Sequence, residues 1–190
     1  MNPDQANGEE DYFRRGVVRS VQAGIVWLLA VFTGGFSAHG ADFSEYQVKA
    51  AWVANFTQFV KWPAKAFPDA AAPFQIGILG DDPFGGALDT LVQGQSVAGR
   101  KIVIRRARKA EDVKNCQIVF ISKSENASIA ELIGALQGAI LTVGESEQFI
   151  RHGGVIGIRL EGTRLRLAIN AEAARRAGLH LSSLLQDLDR

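Results

Sequence analysis

The chain has 190 residues, of which 47% are hydrophobic and 22% charged, with a formal net charge of +1 and a single cysteine, Cys116. This length and apolar content predict one globular domain whose core needs no disulfide staples. The near-neutral charge gives no electrostatic reason to expect a nucleic-acid partner. One cysteine excludes an intramolecular disulfide and a cysteine-based metal centre, and we predict no metal or cofactor.

The N-terminal part has the pattern of a secretory signal. Three arginines between positions 14 and 19 precede the apolar run "GIVWLLAVFTGGF". That run is shorter than the ~20 residues that a membrane-spanning helix needs. The small residues Ala38 and Gly40 follow it. This order is typical of a cleaved signal peptide, with an uncleaved anchor as the alternative. We predict a signal peptide over residues 1–40, cleavage between Gly40 and Ala41, a single domain over 41–190, and a periplasmic location.

The first half of this domain predicts a helix followed by alternating strands and helices. Apolar residues at helical spacing follow Glu45, with Asp42 as the N-cap, and Trp62-Pro63 ends the helix. A loop precedes the strand "FQIGILG", and a helix is predicted from Pro83 to Gln93. "RKIVIRR" and "CQIVFIS" predict two more strands, with a short helix between them at 109–114.

The second half continues the alternation and then changes pattern. An amphipathic helix is predicted over 124–136, followed by the strand "AILTV" and a short helix over 146–151. "GGVIGIRL" and "RLRLAIN", joined around Glu161-Gly162, predict a hairpin. Asn170 caps the helix "AEAARRAG", and "LHLSSLLQDLDR" predicts a last helix. The fold class is therefore α/β: a three-layer, Rossmann-like sandwich with a mostly parallel sheet and a C-terminal antiparallel hairpin.

The stretch "IGILGDDPFGG" is the best candidate for chemistry, yet it matches neither a dinucleotide fingerprint nor a P-loop. In a purely structural interpretation, Gly80 forms the turn, Asp82 caps the helix, Pro83 begins the helix and Phe84 packs beneath it. Two functional alternatives stay open. A small molecule could bind at the strand ends near Asp81, Phe84 and Ser122, because open α/β sheets bind ligands at the carboxyl ends of their strands. A hydrolase could use Asp81 or Asp82, although the sequence identifies no partner histidine or metal for either, and we predict no catalytic residue.

A basic run brackets a short apolar strand in the middle of the chain. Its members are Arg100, Lys101, Arg105, Arg106, Arg108 and Lys109. Charges that flank "IVI" in this way predict a solvated sheet edge, and we expect no nucleic acid to bind there. An acidic protein surface or phospholipid headgroups are the better candidates if the run binds anything.

Four segments occur in an order and spacing that resemble the YfiR-like family. They are "VKAAWVANFTQFVKWP", "FQIGILGDDPFGG", "CQIVFISKSE" and the stretch from "AILTVGESEQFIRHGG" to "AGLHLSSLL". The resemblance implies a periplasmic regulator that binds the periplasmic part of an inner-membrane diguanylate cyclase or related sensor, inhibits it, and so lowers cyclic-di-GMP and biofilm formation. It also implies a homodimer and sequestration by an outer-membrane lipoprotein. Redox sensing through intrachain disulfides, which the family shows, is not possible with Cys116 alone.

The predicted partner-binding residues lie in the C-terminal part. Aromatic, arginine and apolar anchors typical of interfaces point to Phe149, Arg151, Leu184 and Leu185. The family's cyclase-contacting region corresponds by motif position to Ile156, Ala168 and Ala174. The alternative for all seven is that they pack the hairpin and the last helices onto the sheet.

Overall fold

A computed structural model describes residues 45–161 and 164–187 of the chain, as alternating strands and helices. The helices α1 to α6 are Glu45–Phe59, Ala87–Val92, Ile129–Ala135, Glu147–Arg151, Ala171–Arg176 and Ser183–Gln186. The strands β1 to β9 are Val60–Lys61, Phe74–Leu79, Ser96–Val97, Arg100–Ala107, Ile118–Ile121, Leu141–Gly144, Ile156–Glu161, Arg164–Ile169 and His180–Leu181. Short 3-10 helices occupy Ala64–Ala66, Ala110–Asp112 and Lys123–Ser128.

Seven of the strands form one sheet in the order β3-β4-β2-β5-β6-β7-β8. The pairs from β4 to β7 are parallel, whereas β3 and β8 pair antiparallel at the two ends. The chain first moves from β2 to β4 and then crosses to β5 on the other side, so the winding direction reverses between β2 and β5. This confirms the predicted α/β fold with a mostly parallel sheet and a C-terminal antiparallel hairpin.

Each face of the sheet is covered by its own apolar layer. On one face, Ile76, Phe120 and Val143 belong to a cluster that includes buried residues of α1, α2, α5 and α6. On the other face, Leu79 and Ile121 pack with residues of α3, α4 and the Ala110–Asp112 turn. Because consecutive strand residues point to opposite faces, strands buried on both sides read as unbroken apolar runs.

Two predicted helices differ from the observed ones. The helix expected from Pro83 begins only at Ala87, with Gly86 at its N-cap. Asp82 does not cap it, because its carboxylate accepts hydrogen bonds from the Phe84 N–H and from Arg106, both at 2.7 Å. The turn role of Gly80 is confirmed by its φ of +94°, and Phe84 is buried as expected.

The last predicted helix is also wrong over its first residues. His180–Leu181 forms β9, which pairs antiparallel with β1 and joins the two ends of the domain. Only the short α6 follows, with Ser182 as its N-cap. The Asn170 cap is confirmed, since the Asn170 side chain accepts a hydrogen bond from the Ala173 N–H at 2.9 Å.

Several predictions fall outside the described residues. These are the signal peptide over 1–40, its cleavage site, the Asp42 cap and the hairpin turn at Gly162. Within the described ranges, every helix is too short or too polar to cross a membrane.

Candidate functional site

The carboxyl ends of the parallel strands form one edge of the sheet, and the ends of β2 and β5 bring the predicted ligand residues there. The Ser122 N–H donates to the Leu79 carbonyl at 2.9 Å, and the Asp81 N–H donates to Ser124 Oγ at 3.0 Å. Ser122 is buried, and its hydroxyl caps the 3-10 helix that follows. Phe84 packs edge-on against Phe120, with ring centroids 4.6 Å apart. Each of these groups therefore already has a structural role at this edge.

Both aspartates of the "GDDP" stretch are engaged by arginines of the basic run. Asp81 pairs with Arg108 at 2.6 Å, and Asp82 pairs with Arg106 at 2.7 Å. Arg106 also bonds Asp89 on α2, and that hydrogen bond holds the pKa of Asp89 below its usual value. A hydrolytic role would need one of these carboxylates to be released from its arginine.

A charged cluster that sequence reasoning missed lies at the same edge, and we call it the Lys49 cluster. It consists of Glu45, Tyr46 and Lys49 on α1, Lys123 after β5 and Glu145 after β6. The Lys49 side chain is 1% exposed and pairs with both Glu45 and the fully buried Glu145. Lys123 lies 3.5 Å from the same Glu145 oxygen. The cluster ties the start of α1 to the ends of two central strands.

The electrostatics of the Lys49 cluster follow from these contacts. The hydrogen bond from Lys49 lowers the pKa of Glu45. Burial is the largest single effect on the pKa of Lys123 and acts to lower it, but the charges of Glu145, Tyr46 and Glu45 together raise it. The Tyr46 ring lies 5.0 Å from the Lys49 ammonium group, close enough for a cation–π contact. Glu145 Oε1 has no hydrogen-bond partner among the described residues.

A sequence signal for this cluster does exist. Lys49 lies four residues before Val53 and seven before Phe56, so it shares the apolar face of α1. Glu145 follows directly after the buried strand β6. A lysine on an apolar helix face and an acid at a buried strand end together indicate a buried pair, because neither charge is stable alone in the core.

The structure divides the predicted partner-binding residues into buried and accessible ones. Phe149, Ile156, Ala174 and Leu185 are fully buried. Phe149 packs against Gly144 and Gly154, where an added Cβ would collide with its ring. The other three belong to the core on the opposite face of the sheet. These four side chains are inaccessible at the surface of the described chain, and their part in partner binding stays a prediction.

The remaining three predicted residues lie at the surface. Arg151 is exposed at the end of α4, and Leu184 on α6 is 55% exposed. Ala168 is half-buried on β8, opposite Gly157, and a Cβ added at Gly157 would meet both the Ala168 Cβ and Ile150, the residue before Arg151. Ala168 and Arg151 thus belong to one face of the hairpin region, whereas α6 packs on the other face.

A cavity of about 380 Å³ opens at the opposite edge of the sheet, before β2, β5 and β6. Its lining includes Lys65, Gln75, Lys114, Cys116 and Gln137. Cys116 is buried, and burial raises the pKa of its thiol to about 11. Among the described residues, no group of three or more His, Cys, Asp or Glu side chains is placed to hold a metal ion.

Comparison with known proteins identifies the family. A family model described as YfiR/HmsC-like matches residues 46–188. The chain belongs to the YfiR/HmsC-like family. The family is regulatory and periplasmic, and membership therefore supports a regulatory role for this chain.

Other comparisons add less. No curated protein matches the chain. A solved structure of a conserved domain protein from Vibrio cholerae O1 biovar El Tor is similar at 14% identity and a TM-score of 0.46. The match covers 60% of this chain and 53% of that one, so the chain spans about half of that protein's length.

Proposed function

We propose that this chain is a periplasmic regulator that binds the periplasmic segment of an inner-membrane diguanylate cyclase and holds it inactive. The observation that carries this proposal is the YfiR/HmsC-like match across residues 46–188, nearly the whole described domain. Inhibition of the cyclase would lower cyclic-di-GMP and restrain biofilm formation. Export would use residues 1–40 as a signal peptide, cleaved after Gly40. No catalytic step is part of this role.

The partner surface that we propose is the hairpin end of the sheet. Arg151 and Ala168 supply an accessible face there, and Leu184 supplies an exposed apolar side chain on α6. The buried Phe149 and Ile156 fix the positions of α4 and β7 beneath that surface. Arginine and leucine side chains carried by packed helices are suited to a protein contact, because the backbone that carries them is already ordered before binding. We further propose a homodimer and release of the cyclase by an outer-membrane lipoprotein.

The proposal is tested by capture from solubilised inner membranes of the native host, with the exported, affinity-tagged chain as bait. We expect a membrane protein with a periplasmic segment and a cyclase domain to co-purify. Leu184→Glu should reduce its recovery, because an apolar side chain that complex formation would bury is replaced by a charge. Leu91→Glu is the matched control, since Leu91 is a leucine of similar exposure (42%) on α2. Equal recovery with all three proteins would refute a partner contact at Leu184, and absence of any cyclase would refute the partner.

A second candidate function is small-molecule binding, and the cavity before β2, β5 and β6 favours it. Two lysines and two glutamines among its lining residues suit a small anionic ligand. The predicted ligand residues Asp81, Phe84 and Ser122 lie at the other edge, so the two sites can be distinguished. Thermal shift with a panel of small carboxylates and phosphates tests the cavity. A shift that is lost in Lys114→Ala and retained in Asp81→Asn would assign the ligand to the cavity.

A further inference from the structure

The cavity before β2, β5 and β6 has a wall that one buried side chain holds in place. Gln117, directly before β5, is 2% exposed. Its amide nitrogen donates to the Ala66 carbonyl at 2.7 Å and to the Asn115 carbonyl at 3.2 Å. Its amide oxygen accepts from the Gln75 N–H at 2.8 Å. Ala66, Gln75 and Asn115 all line the cavity, so three separate stretches of its wall are fixed to one another.

The charged part of this wall is positive. Lys65 and Lys114 line the cavity, and the described ranges contribute no aspartate or glutamate to its lining. Each lysine adjoins a residue that the buried amide holds. Neither ammonium group forms an ion pair within the described part of the chain. The acids nearest in sequence are Asp69, Glu111 and Asp112, and all three lie outside the lining. Two positive charges therefore border one cavity.

Another part of the wall is apolar and already ordered. Phe67, Pro68, Ala139 and Ile140 supply it. Ile140 is buried in the core, and the Phe67 ring lies 4.1 Å from the Arg100 guanidinium, in a cation–π contact. The volume of about 380 Å³ lies within the range of about 300–1,000 Å³ that is typical of ligand pockets. A simple ion bound by the lysines would leave this apolar wall in contact with water.

We infer that this cavity takes an amphipathic organic anion: Lys65 and Lys114 bind its carboxylate or phosphate head, and Phe67 and Ile140 contact its apolar body. The inference rests on the second candidate function and deepens it, because it names the class of ligand. Ligand pockets combine an apolar lining with a few polar or charged groups that fix the orientation of the ligand. A wall that is ordered before binding lowers the entropy cost of binding. Binding here is independent of the proposed contact with a cyclase.

Exposed lysines can also be solvated charges that bind nothing, and matched probes separate the two cases. The test titrates the isotope-labelled, exported chain with phenyl phosphate and with benzoate. Inorganic phosphate and acetate are the same heads without a body, and benzyl alcohol is a body without a charge. NMR shifts of the Gln75, Asn115 and Gly138 amides measure binding at the cavity, and those of Asp81 and Ser122 report the opposite edge of the sheet.

We expect both ring-bearing anions to shift the cavity amides, and to bind about tenfold or more tightly than the heads alone or benzyl alcohol. Lys65→Ala/Lys114→Ala should weaken this binding about tenfold or more, because it removes both contacts to the head. Lys101→Ala/Lys109→Ala makes the same change in net charge at exposed lysines outside the lining, and should leave binding intact. Melting temperatures of both variants check folding.

The results that would overturn the inference are distinguishable. If the heads alone bind as tightly as the ring-bearing anions and depend on the same two lysines, a small-anion site stands and the apolar body is wrong. If benzyl alcohol binds as tightly as benzoate, the charged head is wrong. If no probe shifts the cavity amides at about 10 mM, or the shifts are confined to Asp81 and Ser122, ligand binding at the cavity fails, and the second candidate function fails with it.

Discussion

Lys49 is buried on the apolar side of α1 and is held there by carboxylates on two sides. We expect Lys49→Met to destabilise the protein by about 3–5 kcal/mol, because it leaves the charge of Glu145 in the core without its main partner. The free energy of unfolding in urea measures this. Lys49→Met/Glu145→Leu should recover much of the loss, since no unpaired charge is left.

The matched control for Lys49 is Arg175→Met, which breaks the exposed pair with Glu172. Exposed pairs contribute about 0–1 kcal/mol, so this change should be small. A loss below about 1 kcal/mol in Lys49→Met itself would contradict a buried pair that fixes α1.

Cys116 is predicted to be unreactive in the folded protein. Its side chain is buried, and burial raises the pKa of its thiol to about 11. The thiolate is the nucleophile, so iodoacetamide at about pH 8 should label the native chain very slowly and the urea-unfolded chain quickly, as followed by mass spectrometry. Rapid labelling of the native chain would show that Cys116 is open to solvent through the neighbouring cavity.

The helix α4 is docked on the sheet through Phe149 and two glycines. Gly154→Ala places a methyl group against the Phe149 ring, and overpacking of this kind costs about 1–3 kcal/mol. The control is Gly134→Ala in α3, where an added Cβ meets nothing within 4 Å, and alanine should stabilise the helix by up to about 1 kcal/mol. Chemical denaturation of both variants tests the pair. Equal effects would mean that α4 does not pack as described.

The attachment of α2 to β4 should depend on pH through Asp89. The Arg106 hydrogen bond lowers the pKa of Asp89 in the folded state. A lowered carboxyl pKa stabilises the folded state above the unfolded value of about 3.9, and this stability is lost as pH falls through the folded pKa. Asp89→Asn should therefore be less stable than the native chain at neutral pH, and the difference should shrink below about pH 3. A difference that is independent of pH would exclude the ion pair as its cause.

Most elements were predictable because their signals are local. The unbroken apolar runs of β2 and β5 and the helical spacing of α1 are set by burial within each segment. The strand β9 was missed because its two residues carry no periodicity and are fixed by pairing with Val60 and Lys61, far away in the chain. The late start of α2 was missed because Asp82 does not cap the helix and instead bonds Arg106, which lies on β4. Neither partner can be found from local sequence.

The candidate site was less predictable than the fold, because accessibility is a property of the whole molecule. Phe149 and Leu185 have the composition of interface anchors, yet each is buried in a core, one on each face of the sheet. Arg151 and Leu184 also have side chains typical of interface anchors, and both are exposed. Motif position directs attention to the C-terminal region, and only the packing of α4 and α6 divides its residues into buried and exposed ones.

The cyclic-di-GMP level of the native host tests most directly whether this chain inhibits a cyclase. It should be measured by mass spectrometry in the parent, in a strain lacking this gene, and in that strain complemented with the full chain or with residues 41–190 alone. We expect the level to rise on deletion, to be restored by the full chain, and not to be restored by the version that lacks the export signal. An unchanged level after deletion would contradict inhibition of a cyclase, and restoration by residues 41–190 alone would contradict action in the periplasm.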